Sequence, residues 1–251
     1  MNDDFLKVAK EAALEAGKII QKYSGNFGKK TFKGGDKSNF ATSADLEAEE
    51  VIVNILTKNF PDHNIIAEEN VRMNQGSKYT WVIDPLDGTF SFAHNFPFFS
   101  VSIGLLLDNQ PFVGVINHVV ANDLYSAQKG MGAFLNDKRI SVSKINTLEE
   151  SACGVDYGHK ISREANIKGY AIKILHKIGY PFCVGSSVSS QALVAKGVLD
   201  GYVNEAWIWD FAAAASILTE AGGKVTDFEG REPDWTKERL NIVASNGLIH
   251  E

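Results

Sequence analysis

The sequence predicts a mixed protein of the α+β or α/β class, whose two halves order their helices and strands differently. Apolar residues near the N-terminus recur at helical spacing, and four apolar runs between residues 98 and 140 alternate with turn residues, as in antiparallel strands. Beyond residue 142, helical stretches alternate with short strands. We therefore predict an N-terminal α+β half over residues 1–142 and a C-terminal α/β half over residues 143–251.

Three elements are predicted before the first strand of the sheet. A helix should end near Tyr23, with its apolar face formed by Phe5, Val8, Ala9, Ala12, Ala16 and Ile19. The Gly- and Lys-rich stretch over residues 25–40 is typical of an exposed, mobile loop. Thr42 followed by Asp45 fits a capping box that opens a second helix, whose predicted apolar residues are Leu46, Val51, Ile52 and Ile55.

The remaining elements follow from apolar runs and the turns between them. Two short strands, "HNIIAEEN" and "YTWVID", run into acidic residues, and "FSFAHNF" is long enough for about two helical turns before Pro97. Antiparallel strands are predicted in "FFSVSIGLLL", "FVGVINHVV", "LYSAQ" and "GAFLN". In the second half, "YAIKILHKIG", "VSSQALVAKGV" and "DFAAAASILTEAGG" are predicted helices, and "SACGVD", "PFCVG", "KVTDF" and "NIVASN" are predicted strands.

Composition and charge argue against several classes of protein. The net charge of −6 disfavours a nucleic-acid partner, because phosphate backbones select basic faces. Cys153 and Cys183 lack CxxC spacing, so we expect no disulfide framework and a reducing, cytoplasmic location. The N-terminus lacks the basic start and apolar core of a signal peptide, and no apolar run is long enough to span a membrane.

Acidic residues follow three apolar runs. Glu68 and Glu69 follow "NIIA", Asp84 and Asp87 follow "WVI", and Asp210 follows "WIW". Neighbouring strands lie about 5 Å apart, so acids at strand ends converge readily, and Mg²⁺ prefers such oxygen ligands. The set therefore predicts a metal site. The alternatives for the single elements are a simple turn in "DPLDG", a solvated loop at the glutamates and a helix N-cap at the last aspartate.

Gly88 and Thr89 directly follow the two closely spaced aspartates. If a helix begins there, its N-terminal amides face the predicted metals, and a phosphate group can sit between amides and cations. The hydroxyl of Thr89 would then orient a metal-bound water. The alternative is that this hydroxyl is only an N-cap, which would be the favoured interpretation without the neighbouring acids.

Three ordered segments resemble the motifs of the inositol monophosphatase family: "AEEN", "WVIDPLDGTFSFAHNFPFFSVSIG" and "WDFAAAASILTEAGGKVTD". The likeness extends to "YSAQKGMGAFLNDKRISVS" and "GSSVSSQALVAKGVLDGY", so it covers most of the chain. The resemblance implies a layered α-β-α-β-α sandwich of the inositol monophosphatase and fructose-1,6-bisphosphatase type. It also implies a Mg²⁺-dependent, Li⁺-sensitive phosphomonoesterase, often a homodimer, in which Mn²⁺ can replace Mg²⁺.

The resemblance further implies metal ligands. Glu68, Asp84 and the carbonyl of Leu86 would hold a first ion. Asp84, Asp87 and Asp210 would hold a second, and a third, weaker ion would lie near Glu68. The physical role of such ions is to lower the pKa of a bound water and to neutralise the phosphoryl group and the leaving oxygen.

Catalytic and substrate contacts are implied in the same way. Glu68 and Thr89 would position the attacking water, with Asp45 orienting Thr89, and the amides of Gly88 and Thr89 would receive the phosphate. The residues matched to substrate contacts are Asp87, Gly88, Thr89, Gly185, Ser186, Ser187, Glu205 and Asp210.

Several positions depart from the family pattern. Phe90 stands where most inositol phosphatases carry threonine, and Ser91 replaces the usual asparagine, which leaves the substrate open. Ser187 stands where a small apolar residue is common. The stretch "YVNEAWIWD" is one residue shorter than the pattern, so Asn204 and Glu205 are rivals for the substrate-contacting acid.

The leading hypothesis is a phosphatase that releases phosphate from inositol 1-phosphate or a related sugar or polyol phosphate. The alternative substrates are fructose 1,6-bisphosphate, with dual activity included, then 3′-phosphoadenosine-5′-phosphate and histidinol phosphate. A non-catalytic regulatory binding protein on the same fold is the least favoured reading. Idle acidic ligands would be buried charges without a cation, which is energetically costly.

Overall fold

Two long helices cover one side of the fold in the computed structural model, which describes residues 4–250. They are α1 (Phe5–Lys22) and α2 (Ser43–Asn59). The inward face of α1 is rich in fully buried alanines, which allows α2 and the neighbouring sheet to approach closely. The predicted helix end near Tyr23 and the capping box of Thr42 and Asp45 are confirmed. Leu46, predicted on the apolar face of α2, is instead exposed.

A β-hairpin joins these helices where the sequence predicts an exposed loop. Its strands, β1 (Lys30–Lys33) and β2 (Asp36–Thr42), pair antiparallel with Phe32 opposite Phe40. Gly34 and Gly35 form the connection with φ values of +58° and +74°. Tight hairpin turns require positive φ, which glycine adopts at no steric cost. The glycines that favoured a loop therefore mark the turn of a hairpin.

The first half of the chain forms an eight-stranded sheet in the order β10-β9-β8-β7-β6-β5-β3-β4. β3 pairs with β5 in parallel, and the other neighbours pair antiparallel. The antiparallel strands predicted between residues 98 and 140 are confirmed. The strands are β3 (Asn64–Ala67), β4 (Arg72–Met73), β5 (Tyr79–Asp87), β6 (Ser100–Leu107), β7 (Gln110–His118), β8 (Asp123–Gln128), β9 (Gly132–Leu135) and β10 (Lys138–Arg139). One short helix, α3 (Thr89–Ala93), follows β5.

The second half forms a five-stranded sheet in the order β12-β11-β13-β15-β14. Its strands are β11 (Ala152–Val155), β12 (Tyr180–Phe182), β13 (Gly201–Trp207), β14 (Lys224–Thr226) and β15 (Arg239–Ser245). Its helices are α4 (Lys160–Asn166), α5 (Ile172–Leu175), α6 (Ser187–Ala195) and α7 (Ala212–Glu220), with a π-helical turn at Ile167–Ala171 and a 3₁₀ turn at Ile208–Asp210. The predicted alternation of helices and strands is confirmed, but the central strand β13 was not predicted.

The elements stack in five layers, α-β-α-β-α, as the family resemblance implies. One apolar cluster lies between α1, α2 and the first sheet, and a second surrounds α6 and α7 between the two sheets. A third, smaller cluster places the 160–175 helical region on the outer face of the second sheet. The centre of the fold is therefore the α6–α7 layer, which contacts strands of both sheets.

Two glycines bring α7 unusually close to the first sheet. A Cβ atom built on Gly114 would lie 2.1 Å from the carbonyl oxygen of Ala213, and one on Gly104 would lie 2.9 Å from the Cβ of Ala212. Any larger residue would push the helix away from the sheet. The alanine-rich sequence of α7 and these glycines together fix the position of the turn that precedes the helix.

The chain leaves the first sheet after Arg139 and enters the second sheet at Ala152. The division of the chain into two domains near residue 142 stays a prediction. Among residues 4–250, no helix combines the length and the apolar character needed to cross a membrane.

Candidate metal centre

Three aspartates from both halves of the chain form a buried cluster. Ligand oxygens of Asp84, Asp87 and Asp210 all lie within 4.8 Å of one another. Asp84 and Asp87 belong to β5, and a bulge in its pairing places Asp84 opposite Ser102 but Asp87 opposite Ser100. Three residues of β5 thus match two of β6, and the additional residue lets both aspartates join one cluster. The strand does not end at Asp84, as the sequence predicts, but continues through the bulge to Asp87.

Asp210 reaches the cluster from the end of the 3₁₀ turn that follows β13. Its Oδ2 accepts a hydrogen bond from the amide of Trp207 (2.8 Å), and its carbonyl accepts one from Nε2 of Gln191 in α6 (2.9 Å). The sequence left an N-cap of the Ala-rich helix as the alternative. The structure places Phe211, with no side-chain cap, at that position. The carboxyl group of Asp210 is therefore free of α7 and directed to the cluster.

Burial raises the pKa of each of these aspartates. For Asp84 and Asp210 the rise is large, because burial is its main cause and the repulsion by neighbouring carboxylates adds to it. Burial brings the pKa of Asp87 to about 7, against hydrogen bonds that favour its charged form. Within residues 4–250, no basic side chain forms an ion pair with any of the three. Such a cluster is strongly favourable only with a bound cation.

The N-terminus of α6 holds Asp87 in place. The carboxylate of Asp87 accepts hydrogen bonds from the amides of Ser187 (3.2 Å) and Val188 (3.1 Å) and from the hydroxyl of Ser186. Helix N-termini attract negative charge because their amides point outward. Ser186 also caps the helix by accepting from the amide of Ser189. The segment 185–187, predicted to touch substrate, therefore also orients a predicted metal ligand.

Glu68 lies beside the aspartate cluster and is paired with a lysine. The amide of Glu68 donates to the carbonyl of Ile83 (3.0 Å), the residue before Asp84, and the charge of Glu68 adds to the burial that raises the pKa of Asp84. Nζ of Lys33 donates to Oε1 of Glu68 (2.8 Å) and to Oε1 of Glu69 (2.7 Å). Burial opposes the charge of Lys33, but the two glutamates outweigh it and raise the lysine pKa. Glu49 accepts from the amide of Glu69, which fixes the turn after β3.

Lys33 was not singled out, because the sequence favours a solvated loop for the Lys-rich segment 29–37, with a loop that closes over the phosphate as the alternative. Lys33 ends β1 just before the hairpin turn, and only the folded hairpin brings it over the glutamates. The sequence signal for this placement was the two-glycine turn that follows "KTFK". The solvated-loop alternative for Glu68 and Glu69 also fails, because Glu69 is nearly buried and both are ion-paired.

Thr89 and Asp45 are in direct contact. Oγ1 of Thr89 lies 2.8 Å from Oδ1 of Asp45 and 3.0 Å from the carbonyl oxygen of Leu86. Asp45 is fully buried at the start of α2, where burial raises its pKa to about 6. Its other oxygen accepts from the amide and hydroxyl of Thr42. The geometry is that of a threonine hydroxyl oriented by a carboxylate, and its catalytic role stays a prediction.

Gly88 makes the tight connection between the aspartates and α3. Its φ of +84° is left-handed, and a Cβ there would lie 2.7 Å from the carbonyl oxygen of Phe98. No other residue fits both constraints. The helix that follows is shorter than the two turns predicted, because it ends at Ala93 and Asn95 has a φ of +55°.

Of the residues considered for substrate contact, Ser187 and Asn204 lie together, whereas Glu205 lies apart from them. The hydroxyl of Ser187 accepts from Nδ2 of Asn204 (3.0 Å) and lies 2.9 Å from the hydroxyl of Tyr202, which donates to the carboxylate of buried Asp156 (2.7 Å). Glu205, one position further along β13, faces the opposite side of the sheet. There its carboxylate pairs with Arg239 (3.2 Å). Of the two rivals, Asn204 is the one beside the 185–187 segment.

The hard oxygen donors of this cluster fit a divalent cation. Carboxylates and a backbone carbonyl suit Mg²⁺ and Mn²⁺, whereas thiolates or imidazoles would favour other metals. Asp84, Asp87 and Asp210 form no ion pair with a basic side chain among the described residues, and burial together with their mutual proximity raises their pKa values. The donor set therefore matches the metal implied by the family resemblance.

Proteins of similar sequence and structure identify the family to which this chain belongs. The sequence profile described as "Inositol monophosphatase family" matches residues 1–251. The "Fructose-1,6-bisphosphatase/inositol-1-monophosphatase" of Aquifex aeolicus is 34% identical, covering 98% of this chain and 92% of that protein. "Inositol monophosphatase 2" of Solanum lycopersicum is 36% identical, covering 99% and 96%.

A solved structure is similar over the same length. The structure of an inositol monophosphatase from Anabaena (Nostoc) matches with a TM-score of 0.86 at 36% identity, covering 98% of this chain and 92% of that chain. The layered arrangement is thus shared as well as the sequence. This family is metal-dependent, and the buried acidic triad can hold a metal ion. The chain belongs to the inositol monophosphatase family, whose members are phosphoric monoester hydrolases.

Proposed function

We propose that this protein is a Mg²⁺-dependent phosphatase of inositol 1-phosphate or a related sugar or polyol phosphate. The observation that carries the proposal is the cluster of Asp84, Asp87 and Asp210, buried with no basic partner among the described residues. Substrates of this class are anions, and anions alone would be repelled by such a cluster. Bound cations turn the same cluster into a phosphate site.

Asp84, Asp87 and Asp210, with Glu68 and the carbonyl of Leu86, would hold the ions. Bound Mg²⁺ would supply a more acidic water and positive charge for the phosphoryl group. In the overall reaction a water oxygen attacks phosphorus and the ester P–O bond breaks, which yields inorganic phosphate and the free alcohol. The number of ions, and Mn²⁺ as a substitute, stay predictions, as does the homodimer.

The chain's own residues would position the water and the phosphate. The hydroxyl hydrogen of Thr89 points to Asp45 or to the Leu86 carbonyl, so the oxygen lone pairs remain for a water molecule. Asp45, with a pKa of about 6, is ionised at neutral pH and holds that orientation. Gly88 brings the start of α3 next to Asp87, where its amides can receive phosphate oxygens.

Fructose 1,6-bisphosphate is the second candidate substrate. The Aquifex aeolicus relative carries both activities in its name, and no contact described above discriminates between the two phosphate esters. A substrate panel separates them. It should include inositol 1-phosphate, fructose 1,6-bisphosphate, histidinol phosphate and 3′-phosphoadenosine-5′-phosphate.

We expect phosphate release from inositol 1-phosphate to require added Mg²⁺ after the protein has been stripped with a chelator. Release would be measured as inorganic phosphate over time, with and without millimolar Mg²⁺, for every member of the panel. Addition of Li⁺ should lower the rate. Protein that releases no phosphate from any ester at saturating Mg²⁺ would support the regulatory binding protein instead.

Asn204, rather than Glu205, should influence substrate affinity. Replacing Asn204 by alanine removes its hydrogen bond to Ser187, and the loss of one such bond should raise KM about fivefold. Glu205→Gln, on the other face of β13, should leave KM nearly unchanged. Steady-state kinetics on the two variants checks this. A larger KM effect from Glu205→Gln would restore Glu205 as the substrate contact.

A further inference from the structure

Four side chains form a continuous row beside Asp210. The rings of Trp207 and Trp209 stack with centroids 5.1 Å apart and planes 8° from parallel. The guanidinium of Arg72 lies over Trp209 at 5.1 Å, and that of Arg239 lies over Trp207 at 5.0 Å. We call this row the Arg–Trp stack.

The Arg–Trp stack connects the two sheets. Arg72 lies in β4, at the edge of the first sheet, whereas Trp207 and Arg239 face each other across β13 and β15 of the second. Trp209 lies between them in the 3₁₀ turn. Cation–π and stacking contacts of this geometry are attractive and directional. The row therefore links the first sheet, the turn and the second sheet through side chains.

The turn held by the stack carries Asp210. The amide of Trp207 donates to Oδ2 of Asp210, and the amide of Ile208 donates to the carbonyl of Glu238, next to Arg239. The carbonyl of Trp209 accepts from the hydroxyl of Ser102, on β6 of the first sheet. Ile208 is thus tied to the second sheet and Trp209 to the first, while the carbonyl of Asp210 accepts from Gln191 in α6.

This connection matters because the aspartate cluster is itself divided between the halves. Asp84 and Asp87 lie on the first sheet, and Asp210 enters from the second. The spacing of the three carboxylates therefore depends on how the 208–210 turn is held against β5. Mg²⁺ demands near-ideal octahedral ligand geometry, so small displacements of one ligand weaken its binding.

From these contacts we infer that Arg72, Trp207 and Arg239 are positioning residues, which set the metal affinity of the cluster by holding Asp210. The inference rests on the proposed function, since it takes Asp210 as a metal ligand. None of the three side chains is assigned a contact with metal or substrate. Their effect on the reaction would pass through Asp210 alone.

Binding of Mn²⁺ to the whole, metal-stripped protein tests this directly, with free Mn²⁺ quantified by electron paramagnetic resonance. Trp207→Ala should raise the dissociation constant of one class of Mn²⁺ site about fivefold, and Arg72→Ala about threefold. Trp207→Phe keeps an aromatic partner and should restore most of the affinity. Arg139→Ala serves as the matched control, because Arg139 lies over Phe134 at 6.0 Å, in a strand pair outside the cluster.

A second set of variants separates positioning from a general loss of stability. In an Asp210→Asn background, Trp207→Ala should cause no further loss of Mn²⁺ affinity, because the ligand through which it acts is already gone. The KM for inositol 1-phosphate at saturating Mg²⁺ should stay within about twofold, while the Mg²⁺ concentration for half-maximal rate rises. A structural role alone would lower the melting temperature without this dependence on Asp210.

Each outcome is decisive. Parental Mn²⁺ affinity in Trp207→Ala and Arg72→Ala, or additive losses with Asp210→Asn, would overturn the positioning role while leaving the phosphatase proposal intact. Absence of Mn²⁺ binding by the parent protein would instead overturn the metal site itself, and the positioning role with it. If Trp207→Ala does not fold, Trp207→Phe and Arg72→Ala carry the same comparison.

Discussion

Asp87→Asn is expected to lower turnover by about a hundredfold or more at saturating Mg²⁺ while leaving the fold intact. Asp87 is a predicted metal ligand, and its carboxylate also accepts hydrogen bonds from amides at the N-terminus of α6. The neutral side-chain amide of asparagine cannot balance the charge of a cation. The measurement is kcat for inositol 1-phosphate, with circular dichroism and melting temperature recorded on the same preparation.

The fold should survive because two effects of the substitution oppose each other. The amide nitrogen of asparagine cannot accept the hydrogen bond from Ser187, which costs about 1 kcal/mol. Removing one of three crowded, buried carboxylates relieves repulsion of Asp84 and Asp210 in the metal-free protein. Asp62→Asn, on an exposed residue, is the matched control. Near-normal turnover in Asp87→Asn would show that the assignment of this ligand is wrong.

Stability of the metal-free protein should fall as pH rises from about 5 to 8. Asp45 and Asp87 have folded-state pKa values of about 6 and 7, above the ordinary value of 3.8. The folded state therefore binds more protons than the unfolded state in this window. The contribution of these two carboxyl groups to the free energy of unfolding is fully present below pH 4. It is lost as pH rises through the folded pKa values, and the loss is on the order of a few kcal/mol.

Other buried groups extend or oppose this trend. Burial and the charge of Glu68 raise the pKa of Glu69 to about 8, which extends the loss toward alkaline pH. Burial lowers the pKa of His118 and His250 below 6.5, which adds stability as pH rises to that value. Both histidines are only partly buried, so the carboxylates should dominate above pH 6.5.

Saturating Mg²⁺ should remove most of this pH dependence. Ligands must be deprotonated to bind a cation, so metal binding strengthens over the same range in which the metal-free protein weakens. Melting temperatures in chelator and in millimolar Mg²⁺, recorded from pH 5 to 8, should diverge with rising pH. Parallel curves in the two conditions would contradict a metal site at these carboxylates. Asp87→Asn should flatten the curve recorded in chelator.

Sequence alone was sufficient for features that depend on neighbouring residues. The capping box of Thr42 and Asp45, the antiparallel strands between residues 98 and 140 and the α7 helix all follow from local spacing. The three aspartates were identified because each follows an apolar run. Such signals depend only on residues close together in the sequence, so they can be recognised without the folded structure.

Contacts between distant residues were not predictable in this way. The 25–40 segment reads as a loop, yet it folds as a hairpin whose Lys33 pairs with Glu68 and Glu69. The sequence also left open which residue of β13, Asn204 or Glu205, contacts the substrate. Only the alternation of the folded strand places Asn204 beside Ser187 and Glu205 beside Arg239.

The sequence by itself determined which residues are proposed to carry the chemistry: acids at strand ends, a Gly-Thr turn and the family motifs around them. Tertiary structure decided how these residues are held, through the bulge in β5, the α6 amides on Asp87 and the Arg–Trp stack beside Asp210. The physical reason is that residue type sets what an atom can bind. The distance between two carboxylates from different sheets, in contrast, is set by the packing of the whole chain between them.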